Sequence, residues 1–411
     1  MIVRKNWILI IAVFSVALLP RIAMILAWHE SGRGHALSGD SHSYYEIAQS
    51  LAEGKGFQLG GQPTLRRTPV YPLFVAAALK LGLFPIGVQV AQAILGALSG
   101  VIIFLIGRSW FDERVGFLAA GIFSVDYFLT KQVVYILAEV VFIFFLLVSF
   151  YFLFKAVKNG KIAFYFLGGL FAGIATLTKE VSSFYFLAVP AVFFLDKNGR
   201  KEFLKKTIFF VAAFLIIILP WIARNCLISK DLVFLTVGSG HTFYLGNNPQ
   251  VIVRMHGGDW IIERDTELPK GDPDMPPLYS READRYLMKK GVEYVSAHPL
   301  HFIKLMGVKF LRLWFPYYSK AEPVSKCIML LSYSTIMGFG ILGIILSRKR
   351  WLEFFPFYLF LAYLSLIHTI TIPTIRYRYP AMPFFMIFSA YAMMALWERF
   401  RAASKLSTVS S

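Results

Sequence analysis

Charged residues are scarce in this chain of 411 residues, where Asp, Glu, Lys and Arg together make up 16%. Hydrophobic residues reach 57%, and the mean hydropathy is +0.60. Soluble globular domains carry about 25% charged residues. The composition therefore excludes a water-soluble globular protein and indicates a polytopic membrane protein.

Cysteine is nearly absent: Cys226 and Cys327 are the only two, and their spacing fits no metal-binding motif. They lie at the two ends of one long polar segment. We expect two unpaired thiols in lipid, with a disulfide across the base of that segment as the alternative. The sequence also lacks the Walker loop, the Gly-x-Ser-x-Gly elbow, the His-Glu-x-x-His motif and the dinucleotide fingerprint, so none of the enzyme classes that these motifs mark is indicated.

The basic excess is large, since 42 Lys and Arg against 24 Asp and Glu give a net charge of +18. Such a charge can indicate nucleic-acid binding, but no nucleic-acid-reading module is present. The basic residues instead cluster in short loops between apolar runs. Membrane topology and anionic lipid headgroups explain that distribution, so we expect a membrane partner and no nucleic acid.

The apolar runs predict an all-α polytopic membrane protein with about ten transmembrane helices. The predicted spans are 7–28, 87–107, 115–130, 135–154, 162–177, 181–195, 208–223, 328–346, 352–370 and 380–397. The first one is interpreted as an uncleaved anchor rather than a signal peptide, because no small-x-small cleavage site follows it. Segment 70–84 is too short to cross and, like amphipathic segment 299–316, is typical of an interfacial helix.

Sidedness follows from the basic loops. With the N-terminus inside, every strongly basic short loop falls in the cytoplasm, which predicts a multi-pass plasma-membrane protein with both termini cytoplasmic. We expect three regions: an N-terminal transmembrane module, 1–223, with a catalytic first outer loop, 29–86; a partly helical extracytoplasmic segment, 224–326; and C-terminal transmembrane helices with a short tail, 327–411.

This topology places the unusual polar residues on the outer side. They are Asp40, Arg66, Arg67, Glu139, Lys179, Glu180, Arg376 and Arg378. A carboxylate can deprotonate a hydroxyl nucleophile, and arginine forks match phosphate oxygens in two places at once. The set fits transfer from a phosphate-activated donor in the outer leaflet, although each residue other than Asp40 could equally serve topology or ion pairing.

Predictions for three arginines depend on local structure. If the loop 371–379 is extended, Arg376 and Arg378 project to the same side and can flank one phosphate. Arg21, in the outer third of the first span, either snorkels to the interface or faces a polar cavity.

Several motifs carry a resemblance to a known family. They are Ser38-Gly-Asp-Ser-x-x-Tyr-Tyr-x-x-Ala-x-x-Leu-x-x-Gly-x-Gly-Phe, Arg67-Thr-Pro-Val-Tyr-Pro-Leu-Phe, Ala175-Thr-Leu-Thr-Lys179, Gly246-Asn-Asn-Pro249, His298-Pro-Leu-His-Phe, Leu313-Trp-Phe-Pro and Arg376-Tyr-Arg-Tyr-Pro-Ala-Met-Pro. In order and sidedness they resemble the GT-C membrane glycosyltransferases. The bacterial family 39-like branch, related to protein O-mannosyltransferases and the aminoarabinose transferases of lipid A, is the most similar, and the resemblance touches nearly the whole chain.

The resemblance implies a polyprenyl-phosphate-linked sugar as donor, a lipid, glycan or protein acceptor on the outer face, and inversion at the anomeric carbon. Asp40 matches the family's loop carboxylate and is expected to be the general base. Glu139 is the candidate for a second acid, with Asp126 as runner-up. No metal or other cofactor is expected, because Asp40 and His42 alone make a poor metal site.

We expect the substrate-binding residues in the same motifs and outer loops. They are Arg66, Arg67, Tyr71, Lys179, Glu180, Arg376, Arg378, Arg21 and Tyr44. At Glu180 the chain departs from the family, which often has Gly after the Lys. The rival hypothesis is a transporter or flippase of lipid-linked sugars or glycans, which would share the spans and basic cavity but has no need of the carboxylate in the first outer loop.

Overall fold

A computed structural model describes residues 2–32, 37, 39–190, 202–256, 259–263, 274–277, 279–315 and 323–409. Its α-helices are Ile2–Glu30 (α1), Asp40–Ala52 (α2), Val70–Lys80 (α3), Ile86–Trp110 (α4), Glu113–Val125 (α5), Tyr127–Lys131 (α6), Glu139–Asn159 (α7), Ile162–Thr178 (α8), Ser183–Ala188 (α9), Phe203–Ser229 (α10), Ser239–Gly246 (α11), Arg281–Ala297 (α12), Pro299–Trp314 (α13), Pro323–Leu346 (α14), Trp351–Ile370 (α15) and Met382–Val409 (α16). Short 3₁₀ helices occupy Gln132–Val134, Glu180–Ser182, Arg348–Arg350 and Ile375–Ala381.

Two antiparallel hairpins complete the described structure. Gln58–Leu59 (β1) pairs with Gln62–Pro63 (β2) in the first outer loop, with Leu59 opposite Gln62. Ile252–His256 (β3) pairs with Asp259–Glu263 (β4), with Ile252 opposite Glu263. Each hairpin is an isolated two-stranded sheet. The predicted all-helical fold class is therefore confirmed for the membrane part.

Seven helices of the described chain are long and apolar enough to cross a bilayer. They are Trp7–Glu30, Ile86–Trp110, Glu139–Asn159, Phe203–Ser229, Cys327–Leu346, Arg348–Ile370 and Ile375–Ser404. The pair α5 and α6, bent by 55°, makes an eighth if it is one span. The protein is therefore a multi-pass membrane protein.

The described part thus holds seven or eight spans where the sequence predicted about ten. The predicted third span is broken at Asp126, whose carboxylate accepts a hydrogen bond from Leu129 N (2.8 Å) and so begins a new helix. The predicted fifth corresponds to α8, which has 17 residues. Of the predicted sixth, 181–195, residues 191–195 lie outside the described residues, and the described part holds only the end of the 3₁₀ helix Glu180–Ser182 and the six-residue helix α9.

Close backbone approaches show the relative direction of α8 and α10. A Cβ on Gly169 of α8 would lie 2.1 Å from the carbonyl oxygen of Phe210 in α10, and one on Gly173 would lie 2.8 Å from Ile217. Residue numbers rise together along this contact, so α8 and α10 run parallel. The end of α8 and the beginning of α10 therefore lie at opposite ends of the bundle.

The basic helix ends meet at one end of the bundle. Arg114 near the start of α5 pairs with Glu398 near the end of α16 (3.6 Å), and Lys158 at the end of α7 donates to the Ser109 carbonyl at the end of α4 (3.4 Å). The other ends of α4, α7 and α16 point toward the first outer loop. This arrangement agrees with the predicted alternation of basic and polar loops.

Aromatic packing holds the helices together below the polar end. Trp110 makes edge contacts with Phe154 and Phe354, with ring centroids 4.5 and 4.9 Å apart, within a core of buried residues that continues to Tyr379. Lipid tails are as apolar as these side chains, so packing rather than hydrophobic transfer stabilises such a core. The core reaches the 3₁₀ helix Ile375–Ala381 and gives it a fixed base.

Two of the predicted short helices are present. Segment 70–84 contains α3 and segment 299–316 contains α13, whose Leu300 and Ile303 are exposed. Their place at the membrane interface stays a prediction. Cys226 and Cys327 are free thiols, as expected in the first of the two cysteine readings. The three-region division stays a prediction.

Sidedness can be tested by labelling in intact cells. In a variant with Cys226 and Cys327 replaced by Ser, we expect Lys289→Cys to react with a membrane-impermeant maleimide and Arg114→Cys to react only after permeabilisation. Both native side chains are well exposed, at 77% and 67%, so access rather than burial decides the result. If only Arg114→Cys were labelled in intact cells, the topology would be the reverse of the predicted one.

Candidate active site

Two arginines from distant parts of the chain hold Asp40. This residue opens α2, and its Oδ1 accepts a hydrogen bond from Arg67 Nη2 (2.6 Å) while its Oδ2 accepts one from Arg376 Nη2. Arg67 lies in the first outer loop and Arg376 in the 3₁₀ helix Ile375–Ala381. The carboxylate therefore links the segment between α1 and α4 to the segment between α15 and α16.

Two side chains of α2 contact Arg67. Its Nε donates to Ser43 Oγ (2.9 Å), and its guanidinium lies 4.7 Å from the Tyr44 ring centroid. Asp40 and Ser43 are three residues apart and so share one face of the helix. The side chains of α2 thereby orient one guanidinium toward one carboxylate oxygen.

Tyr44 and Tyr71 form a buried support beneath Arg67. Their rings meet edge to face at 4.8 Å, and the Tyr71 hydroxyl donates to Gln92 Oε1 (3.0 Å). Burial raises the pKa of Tyr44 and of Tyr71 above the ordinary value. Tyr44 therefore packs under the Arg67 guanidinium, and Tyr71 packs against Tyr44. Their predicted role in substrate binding stays a prediction.

A second carboxylate lies behind the first. Glu139 opens α7, and its Oε1 accepts a hydrogen bond from Lys179 Nζ (2.9 Å) and lies 3.7 Å from Arg376 Nη1. Its position at a helix N-terminus is favourable for a negative charge. The side chain is only 3% exposed. Arg376 therefore bridges two carboxylates, Asp40 and Glu139.

Tyr377 packs against Lys179 and Arg376, and His368 packs against Tyr377. Lys179 Nζ lies 5.3 Å and the Arg376 guanidinium 5.5 Å from the Tyr377 ring centroid, and His368 stacks on that ring at 4.3 Å. The sequence reasoning missed both residues. Tyr377 could have been found from its place within the Arg-Tyr-Arg motif, whereas His368 carries no such signal.

Opposing effects set the protonation of Asp40. Burial raises its pKa, but the charges and hydrogen bonds of Arg67 and Arg376 lower the pKa of Asp40 well below its usual range. Burial lowers the pKa of Arg67, yet Tyr44 and Asp40 raise it above its ordinary value. Both groups are therefore charged over the whole physiological range.

Arg66 and Glu180 lie at the margin of the cluster. The Arg66 guanidinium lies 3.7 Å from the Tyr279 ring centroid, and its charge also acts on Asp40. Glu180 is close enough for its charge to act on Arg67 and Tyr44. Four cations (Arg66, Arg67, Lys179, Arg376) and three carboxylates (Asp40, Glu139, Glu180) thus leave the cluster with one excess positive charge.

Arg378 does not join this cluster, and the prediction that it flanks a phosphate beside Arg376 is wrong. The loop is a 3₁₀ helix rather than extended, so residues two apart face different directions. Arg378 is 2% exposed, and its Nη1 donates to the carbonyls of Leu313 (3.2 Å) and Phe315 (2.8 Å). It caps the end of α13.

Arg21 also lies away from Asp40. It is buried in α1, donates to the Ala17 carbonyl (2.6 Å) and lies 4.7 Å from the Phe123 ring centroid, beside Gly96 of α4. It neither snorkels nor faces a polar cavity, so both readings of Arg21 and its assignment to substrate binding are wrong. Asp126 caps α6 and does not contact the cluster, which favours Glu139 as the second acid.

In the described part of the chain, no three His, Cys, Asp or Glu side chains lie close enough together to hold a metal ion. Both oxygens of Asp40 are bound by guanidinium groups. The expectation that the reaction uses no metal stays a prediction.

Comparison with known proteins gives one family match and three similar proteins. Residues 66–223 match the family model for dolichyl-phosphate-mannose-protein mannosyltransferase. The fold is similar to the oligosaccharyltransferase of Archaeoglobus fulgidus tethered with an acceptor peptide, at 13% identity and TM-score 0.59, covering 98% of this chain and 51% of that one. It is also similar to ArnT from Cupriavidus metallidurans in the apo state, at 13% identity and TM-score 0.53, covering 97% of this chain and 62% of that one.

An uncharacterized protein of Aquifex aeolicus (strain VF5) is 25% identical over 197 residues, which are 47% of this chain and 39% of that protein. The chain thus spans less than two thirds of the length of these proteins. The family match over residues 66–223 and the similarity of fold agree with the resemblance to the GT-C membrane glycosyltransferases.

Proposed function

We propose that this protein is a membrane glycosyltransferase that moves a sugar from a polyprenyl-phosphate donor to an acceptor hydroxyl at the extracytoplasmic face. The observation that carries the proposal is Asp40, held between Arg67 and Arg376 at the polar end of the bundle. The cluster combines a carboxylate that can take a proton with cations that can hold a phosphate. Both functions are needed in this reaction.

In the proposed step the acceptor oxygen attacks the anomeric carbon as the bond from that carbon to the phosphate oxygen breaks. The hydroxyl proton passes to Asp40, and the polyprenyl phosphate leaves with the electron pair of the broken bond. Attack opposite the leaving group inverts the anomeric centre. A phosphate leaving group needs little acid assistance, so one base is sufficient.

The charge of the cluster fits a prenyl-phosphate sugar, which is a phosphodiester with one negative charge. The one excess positive charge of the seven ionised residues would be neutralised by that group. Arginine is suited to the role because its planar fork donates two parallel hydrogen bonds to phosphate oxygens. We assign the phosphate to Arg376, with Arg67 and Lys179 beside it.

This assignment also explains how Asp40 becomes basic. While two guanidinium groups bind it, the pKa of Asp40 is too low for efficient proton abstraction. A donor phosphate that competes for Arg376 would withdraw part of that stabilisation. Asp40 would then gain basicity only when the donor is in place.

Glu139 has a supporting role in this proposal. It is deeply buried, and Lys179 and Arg376 both lie at its Oε1, so it fixes two cations without contact to the acceptor. Removing one partner from such a buried group leaves an uncompensated charge, which is strongly destabilising. The charge of Glu139 therefore keeps Lys179 and Arg376 in place beside the proposed phosphate position.

Transfer can be separated from transport in sealed proteoliposomes loaded with undecaprenyl-phosphate sugar labelled in the sugar. An extract of the cell envelope is added to supply the acceptor. A glycosyltransferase then forms free undecaprenyl phosphate, which mass spectrometry detects whatever the acceptor is. A flippase moves the intact labelled lipid between leaflets. Movement of intact lipid with no free undecaprenyl phosphate would contradict the proposal and support transport.

The pH dependence should differ between two kinetic parameters. The acid limb of kcat/KM reports the free enzyme and that of kcat the substrate complex. Asp40 must be deprotonated, so activity is lost as the pH falls through its pKa. The pKa of Asp40 is low in the free protein, because Arg67 and Arg376 offset the effect of burial. In the complex the phosphate competes for Arg376, so the effect of burial is less offset and the pKa of Asp40 is higher. We expect the acid limb of kcat at higher pH than that of kcat/KM; coincident limbs would contradict the competition for Arg376.

A further inference from the structure

A buried lysine in the outer segment lies against the end of a membrane helix. Lys309 of α13 is 1% exposed, and its Nζ donates to Asn247 Oδ1 (2.9 Å) and to the Ile370 carbonyl (3.4 Å). Asn247 Nδ2 donates to the same carbonyl (2.8 Å). Ile370 is the last residue of α15, so these two side chains satisfy a carbonyl that the helix leaves without a partner.

The charge of Lys309 fits this position. A cation at a helix C-terminus interacts favourably with the helix dipole, and a buried ammonium is tolerated only where acceptors surround it. The neighbouring backbone is equally close, since a Cβ on Gly246 would lie 2.2 Å from the Thr371 carbonyl oxygen. The Gly-Asn-Asn segment of the outer region therefore fits tightly against the residues that follow α15.

Those residues form a strap, 371–381, that carries Arg376 to Asp40. Lys309 and Asn247 hold the beginning of the strap. Near its other end, Arg378 donates to the Leu313 and Phe315 carbonyls and so caps α13. The outer helix caps the membrane helix that precedes the strap, and the strap caps the outer helix in return.

We propose that Lys309 is a positioning residue for the transfer reaction, which fixes the strap so that Arg376 lies across Asp40 and Glu139. The inference rests on the proposed function for its catalytic consequence. Its structural part, the dependence of the strap on Lys309, does not require a substrate. Arg376 contacts two carboxylates that lie on different helices, so a small displacement of the strap breaks at least one of those contacts.

The first experiment measures the strap without substrate. Lys309→Met keeps the length and apolar stem of the side chain and removes the ammonium, and Lys304→Met is the matched control, because Lys304 lies on the exposed face of the same helix. Loss of a charge-assisted hydrogen bond should raise amide hydrogen exchange in 371–381 roughly tenfold or more. Unchanged exchange in Lys309→Met would overturn the proposal.

A second variant approaches the strap from the other side. Gly246→Ala places a methyl group against the Thr371 carbonyl, 3.3 Å from Lys309 Nζ, and should raise exchange in the strap although the ammonium is still present. If Lys309→Met does not fold, Gly246→Ala keeps the test decisive: raised exchange in 371–381 supports the proposal, and native exchange overturns it.

The second experiment measures coupling to Arg376 with undecaprenyl phosphate as the probe. Lys309→Met should weaken its binding roughly tenfold in the native background and hardly at all in Arg376→Ala, because the two residues act through one contact. A purely structural lysine would weaken binding equally in both backgrounds, and that result would overturn the positioning role. Failure of the native protein to bind this lipid would count against the proposed donor, while the exchange experiment still decides the role of Lys309.

Discussion

Replacement of Asp40 by Asn is expected to lower turnover at least about a hundredfold, because general-base catalysis contributes typically about 10²–10⁴-fold. The amide keeps the shape of the side chain and one acceptor oxygen, so Arg67 and Arg376 retain part of their hydrogen bonding. It cannot take the proton of the acceptor hydroxyl. The measurement is the rate of free polyprenyl phosphate formation by purified protein at saturating donor.

Asp231 supplies a matched control for this substitution. It too is bound by two arginines, since its Oδ2 lies 2.8 Å from Arg281 Nε and 2.5 Å from Arg285 Nη2, but it lies in the outer segment away from Asp40. Asp231→Asn should therefore leave turnover near the native value. Near-native turnover in Asp40→Asn would remove the assignment of the base, provided that both variants show the same melting temperature as the native protein.

Arg376→Ala is expected to weaken donor binding by about 10–150-fold. A hydrogen bond to a charged group contributes about 1.5–3 kcal/mol, and each 1.4 kcal/mol is a tenfold change in affinity. Arg376→Lys keeps the charge and loses the planar fork, so its loss should be smaller. Binding is measured by titrating undecaprenyl phosphate, and turnover by the same assay as for Asp40.

Arg285→Ala is the control for the arginine series, because this side chain is exposed and belongs to the outer segment. It should leave donor affinity unchanged. If donor affinity and turnover in Arg376→Ala also stay at native values, the phosphate is held elsewhere. Lys179 and Arg67 are then the remaining candidates in the cluster.

The positions of the cluster residues along the membrane follow from the sequence. Asp40, Lys179 and Arg376 lie in three different predicted outer loops, and Glu139 lies near the outer end of the predicted span 135–154. The distribution of basic residues places all four on one side. Helix packing then brings them together. Sidedness is predictable because it depends on loop charge, which a single sequence displays.

The orientation of the strap is not predictable in the same way. Whether Arg378 faces the cluster or α13 depends on the backbone conformation of 375–381, and an extended chain and a 3₁₀ helix turn its side chain in different directions. Burial of the Leu313 carbonyl at the end of α13 favours the second arrangement. That carbonyl belongs to a distant segment, and a local pattern does not reveal it.

Lys309 does leave a signal in the sequence. It lies four residues after Leu305 and four before Leu313, and both of these are fully buried. A charged residue on the same helical stripe as buried leucines is expected to be buried as well and to need acceptors. The amphipathic pattern of α13 could therefore have identified it as more than an interfacial lysine.

The most direct test of the central claim is the structure of the protein with a phosphonate analogue of a polyprenyl-phosphate sugar, which cannot transfer its sugar. We expect the phosphonate within hydrogen-bonding distance of Arg376, with the anomeric carbon facing Asp40 and the Arg376 contact to Asp40 loosened. A phosphonate bound away from Arg376, Arg67 and Lys179, with Asp40 still held by both arginines, would contradict the account.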